Sequence, residues 1–162
     1  MKLKLTLILM ALTISLANTV AKTYPFKKLA KIKGVTCYAF DSIPSQGIHI
    51  GEGINIDSKA NDMVKPFDPR KITILMAEDG QTAKTLYDAA ATICKKGGYE
   101  TLVNVNNEDK FTISAKFGNT RSNIILALME GDDDDGVVLS VNVEGNRNTI
   151  MGLLKNKVMF TH

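Results

Sequence analysis

The stretch that decides the fold is residues 111–146, FTISAKFGNTRSNIILALMEGDDDDGVVLSVNVEGN. Between Lys110 and Phe117, the side chains of Phe111, Ile113, Ala115 and Phe117 fall on one side of an extended chain. That period of two marks a strand with one buried face. Gly118-Asn119 turns the chain, and Ser122 to Glu130 then carries the apolar run IILALM. Periodicity alone does not separate a buried strand from a helix here. The β-branched start and the strands on either side make it a strand. Gly131 to Gly136 is a second turn, and Val137 to Val143 a further strand. Successive strands joined by tight turns predict an antiparallel meander.

Working outward, Tyr99 to Val105 reads as a strand that enters the meander through the turn Asn106–Asp109. A helix from about Thr82 to Lys96 precedes it, with Leu86, Ala89, Ala90 and Ile93 on one face. Lys95-Lys96 complements its dipole, and Gly97-Gly98 stops it. Lys71 to Ala77, KITILMA, is a strand ending in Glu78-Asp79-Gly80, and Gly34 to Phe40, GVTCYAF, is another. Asp41 to Asp57 reads as a loop, punctuated by Pro44, Gly47, Gly51 and Gly53. Ile48, Ile50, Ile54 and Ile56 alternate inside it as a short edge strand. Ser58 to Val64 suits one or two helical turns, stopped by Pro66 and Pro69. After the meander, Asn148 to Asn156 is helical, with Ile150, Leu153 and Leu154 on one side. The expected fold is α+β. It has a largely antiparallel sheet of five to six strands and two to three helices packed on one face. The order is β-α-β-α, then a β-meander and a C-terminal helix.

Residues 1–21, MKLKLTLILMALTISLANTVA, read as a signal peptide: Lys2 and Lys4, an apolar core from Leu5 to Leu16, then small residues ending in Thr19-Val20-Ala21. The apolar core falls short of the roughly 20 residues that span a membrane. No Cys follows it to carry a lipid anchor. Residues 22–162 are then a single α+β domain, opening on a basic lead-in at 22–33, KTYPFKKLAKIK, whose apolar side is expected to cap the core. The 162-residue chain has 20 Lys plus Arg against 17 Asp plus Glu, a formal charge of +3. Cleavage after Ala21 removes two lysines and leaves +1, so steering toward polyanions has little global basis. Cys37 and Cys94 are the two cysteines, and both sit in apolar patterns. An oxidising compartment permits a bridge between them, but both look buried, and free core thiols are the favoured reading.

The pieces GVTCY, KITILMAED, FTISAKFGN, NIILALMEGDDDDGVVLSVNVEGN and TIMGLLKN follow one another along the chain. In that order they resemble an exported Bacteroidetes family catalogued as domain of unknown function 4252. The resemblance covers nearly all of the chain after residue 21. It implies Gram-negative export, to the periplasm or cell envelope, and an α+β domain. It implies no catalytic residues. Relatives run from the first strand into a helix, whereas Pro44 and SQGIHIGEG intervene here.

The residues themselves assemble no catalytic, cofactor-binding or metal-ligating set. His49 has Ser45 and Asp57 near it in sequence, but nothing else builds a nucleophile–base pair, and an edge-strand histidine is the expected reading. Asp132 to Asp135 place Asp133 and Asp135 in calcium-loop register about Gly136. The end positions are Gly131 and Asn142, so a solvated turn is expected. Gly51-Glu52-Gly53 and Lys96-Gly97-Gly98 lack any phosphate-binding fingerprint around them. Glu78 and Asp79 suit a helix N-terminus. Tyr99, Phe111 and Phe117 are aromatic but belong to faces needed for the core, so no nucleic-acid partner is expected. The expected function is a non-catalytic binding module of the envelope. It would meet an envelope protein or ligand through its sheet edge or the 41–57 loop, with no cofactor and no membrane span after signal cleavage. The alternative is a carboxylate-dependent envelope hydrolase or transferase using Glu78, Asp79 or the acidic turn.

Overall fold

The computed structural model describes residues 25–51, 54–57, 62, 64–131 and 135–158. The expected signal peptide and most of the acidic run lie outside them. The eight strands are β1 Val35–Ser42, β2 Ile48–Ile50, β3 Ile54–Ile56, β4 Arg70–Ala77, β5 Glu100–Asn106, β6 Lys110–Lys116, β7 Arg121–Met129 and β8 Gly136–Glu144. The helices are α1 Gly80–Lys96 and α2 Arg147–Val158, and two 3₁₀ turns span Pro25–Lys31 and Lys65–Phe67. Six strands form one sheet in the order β1-β4-β8-β7-β6-β5, every neighbouring pair antiparallel. The meander β5 to β8 forms as the alternation predicted, and its last strand, β8, pairs with β4. Ile124 pairs with Val141, Leu126 with Leu139 and Leu128 with Val137.

Helix α1 crosses one face. Asp79 begins it in an extended conformation, its carboxylate accepting the Thr82 N–H at 2.9 Å. The start is Gly80, two residues before the expected Thr82, because the cap sits at Asp79. At the other end Gly98 takes φ 73°, which lets the Tyr99 N–H reach the Cys94 carbonyl and close the helix. Ala83, Leu86, Ala90 and Cys94 form its buried stripe against Leu75, Ile125, Ala127, Met129 and Val138 of the sheet. Close approach is enforced at Gly136, where a Cβ would stand 2.8 Å from the Ala83 Cβ. The lead-in joins the same layer. Phe26 and Leu29, each 2% exposed, pack beneath α1 and β1 while Lys28 and Lys31 face solvent.

The opposite face departs from the expectation of helices on one side only. The Asp41–Asp57 segment adds no edge strand to the sheet. Its isoleucines fold into a separate two-stranded hairpin, β2 with β3, in which Ile48 and Ile50 pack on Ile72 and Ile74 of β4. Gly47, at φ 85°, makes this turn possible, since a Cβ there would overlap the Ile56 carbonyl oxygen. Helix α2 also lies on this side, with Ile150 and Leu154 against Ile124, Val141 and Val143. The expected helical turn at Ser58–Val64 falls mostly outside the described residues; Asp62 and Val64 are helical, and the 3₁₀ turn Lys65–Phe67 follows.

Leu86→Ala removes a fully buried side chain from the α1 layer, so urea denaturation should show a loss of about 3 kcal/mol. Gly136→Val drives a branched side chain into the Ala83 backbone and should destabilise comparably. Unchanged midpoints in both variants would mean that α1 does not rest on the sheet in this way.

Candidate functional site

Strands β7 and β8 are apolar on both sides, and among the described residues one side is sealed more fully than the other. Opposite α1, the floor made by Leu126, Leu128, Leu139 and Phe111 is only partly buried. The β2–β3 hairpin covers β1 and β4, with Leu139 and Val141 packed at its margin. Helix α2 covers the far end of β5 to β8. Between α2, the sheet and the 3₁₀ turn lies a pocket of about 220 Å3. Ile113, Ile124, Val141 and Val143 floor it, Ile150 and Leu154 wall it, and Val64 and Phe67 form its rim. Its lining is almost wholly apolar, so it offers hydrocarbon contact and no hydrogen bond. Its volume lies below the roughly 300–1,000 Å3 of sites that enclose a drug-sized molecule. A single narrow apolar chain fits it better than a compact polar substrate.

A polar network holds the rim. Asp68 ends the 3₁₀ turn in the left-handed region, φ 40°, an uncommon conformation for a residue with a side chain. Its carboxylate accepts Arg70 Nε at 2.8 Å and Arg121 Nη1 at 3.0 Å, and its carbonyl accepts Arg121 Nη2 at 2.6 Å. Arg121 also donates to Asn142 of β8, whose amide donates to Asn123 of β7 at 2.8 Å. One guanidinium thus ties β7, β8 and the turn before β4. The Arg70 hydrogen bond first, then Arg121, hold the Asp68 carboxyl below the usual carboxylate range.

The residues weighed from sequence lie elsewhere. His49 points outward from β2, its Nε2 3.2 Å from the Gln46 carbonyl oxygen, while Ser45 bonds the Gln46 side chain. No nucleophile–base pair forms there. Asp79 is occupied as the α1 cap, and the Thr82 contacts lower its pKa, the opposite of what a general acid needs. Glu78 is exposed on the same turn. Ala77 pairs with Gly136, so Glu78 and Asp135 emerge at one end of the sheet. Asp132 to Asp134 lie outside the described residues, among which no group of three His, Cys, Asp or Glu suits a metal ion. Gly97 and Gly98 are the α1 cap, and Gly51 turns the β2–β3 hairpin. The three aromatics share no platform. Tyr99 packs with the α1 layer, Phe111 lies on the opposite face, and Phe117 sits under the Arg147 guanidinium at 5.6 Å.

Cys37 and Cys94 are both free thiols, and burial pushes both above their ordinary pKa. Cys37 is on β1, while Cys94 lies over Ser114 and Ala127 of β6 and β7. Three or more strand spacings of about 4.8 Å separate them, far beyond disulfide reach. The apolar floor itself was detectable: IILALM and VVLSV leave no polar face, and a strand read that way needs a cover on each side.

The Asp68 anchor carries a pH signature. Its folded pKa is depressed, so its contribution is complete above the ordinary value of 3.8 and is lost as pH falls through the lower folded value. Asp68→Asn should lower the melting temperature at neutral pH and flatten its decline below about pH 4. Thermal melts from neutral to acid pH check this; parallel curves for the two proteins would refute it.

Comparison with protein-family models, with curated proteins and with solved structures finds no match to this chain.

Proposed function

We propose that this chain is an exported envelope protein whose domain from residue 22 onward is a non-catalytic binding module. Its half-open sheet face holds the hydrocarbon portion of an envelope ligand. The observation that carries the reading is the apolar pocket between α2 and the meander, beside the partly buried floor of Leu126, Leu128 and Leu139. Apolar surface left open beside a formed pocket marks a place where something binds. Export is supported by the charge, apolar core and small residues of 1–21. The order of motifs that resembles an exported Bacteroidetes family points the same way. No helix among the described residues is long and apolar enough to cross a membrane. The carboxylate enzyme is less well supported, because Asp79 serves as a cap and Glu78 is exposed to solvent.

Cell fractionation with intact-mass measurement tests export: the protein should appear in the envelope fraction lacking its first 21 residues. Native mass spectrometry of that material should show a single adduct of acyl-chain mass. Ile124→Trp, which fills the pocket floor, should remove the adduct and keep the circular dichroism spectrum. Protein that stays full-length in the cytoplasm would refute export. Failure of wild type to carry an adduct or to bind a fluorescent fatty acid would refute the ligand reading.

A further inference from the structure

We propose that β5 is a docking edge for a second copy of this chain, the two β5 strands pairing antiparallel about Asn104. The six-stranded sheet has two edges, β1 and β5. From Val35 to Phe40 every residue of β1 is at least half covered, whereas Glu100, Thr101, Asn104, Val105 and Asn106 of β5 are exposed. Val105, 40% exposed, is the one large hydrophobic residue so open among the described residues.

Edge strands are commonly guarded by charge, proline or a bulge along the strand. Thr101 to Asn107, TLVNVNN, contains no charge, no proline and no glycine, in a chain that is 23% charged. The one irregularity is a register shift between Thr101 and Val103, at the start of the strand. The Glu100 carboxylate is engaged by Arg147 at 2.6 Å, which balances the charge at the start of the strand.

The sequence is also self-complementary. Val103 pairs with Ile113 and Val105 with Phe111, so both valines face the apolar side of the sheet. A two-fold axis at Asn104 sets Val103 opposite Val105 of the second copy, and the reverse. An axis at Val103 sets Val105 against threonine, and one at Val105 sets Val103 against asparagine. Of the three, the Asn104 register alone sets both valines against valine; each of the others leaves one valine against a polar side chain. The Asn104 register also carries the open apolar face unbroken across twelve strands, six from each copy. A closed isologous pair of this kind uses both free β5 edges. So short an edge buries less than about 1,200 Å2 in total, which makes the dimer weak.

Sedimentation velocity on the exported protein should show a monomer–dimer equilibrium with a midpoint on the order of 100 µM. Val105→Lys should weaken it at least tenfold while the melting temperature holds. In a Cys37→Ser background, Asn104→Cys should give a disulfide-linked dimer on mild oxidation, since the two cysteines face each other across the axis. A wild type that remains monomeric at about 500 µM would overturn the proposal. So would a dimer that Val105→Lys leaves intact and the groove variant Ile124→Trp abolishes.

Discussion

Strands β7 and β8 stand adjacent in the middle of the sheet and carry apolar side chains on both faces. One set is Ile125, Ala127, Met129 and Val138; the other is Ile124, Leu126, Leu128, Val137, Leu139 and Val141. Such strands must be covered twice, because each exposed apolar face costs about 25 cal/mol per Å2 left in water. The first cover is tight. Alanines on α1 and Gly136 on β8 bring helix and sheet into direct contact, and Phe26 and Leu29 fill the margin. Among the described residues the second cover is a three-residue-per-strand hairpin and the short helix α2, and these leave part of the face only partly buried.

The incomplete layer is nevertheless fixed in place. The hairpin is anchored by four isoleucines. The turn carrying Val64 and Phe67 is pinned through Asp68 to Arg121, which is itself braced by Asn142. Arg121 is suited to this because its planar fork donates to a carboxylate, a backbone carbonyl and an amide at once, which lysine cannot do. α2 is started by Asn146, whose side chain accepts the Thr149 N–H, and tied to β5 by the Arg147–Glu100 pair. A groove whose rims are held by named polar contacts has a defined shape, and a defined shape is what selective binding requires.

Much of this was legible in the chain. The meander, α1 and its caps, β1, β4 and α2 follow from alternation, helical spacing and glycine position, all local signals. His49 faces outward, since alternation turns it away from Ile48 and Ile50, but it does so on a separate hairpin and not on an edge of the main sheet. What local patterns do not carry is which face a distant segment covers. The isoleucines at 48, 50, 54 and 56 announce a hairpin's alternation, but whether it extends the sheet or lies upon it depends on Ile72 and Ile74 being free to receive it. For α2 the same holds: Ile150 and Leu154 mark an apolar side without saying which side of the sheet it meets. The Asp68–Arg121 contact joins residues 53 positions apart and leaves no trace in either neighbourhood.

The charge balance sharpens the meaning of the open face. On the proposed mature chain the net charge is +1, because two of the lysines belong to the leader. Proteins near neutrality have little mutual repulsion to keep apolar patches apart. At one end of the sheet Glu78 and Asp135 leave neighbouring strands and Asp109 accepts the Gly131 N–H, while Lys28 and Lys31 lie on the turn that leads into β1. That charge stands at the end of the sheet and leaves its apolar face unshielded. A nearly neutral domain with a partly covered apolar face has little charge to oppose association through that face. On the proposed reading, a ligand in the groove is what covers it.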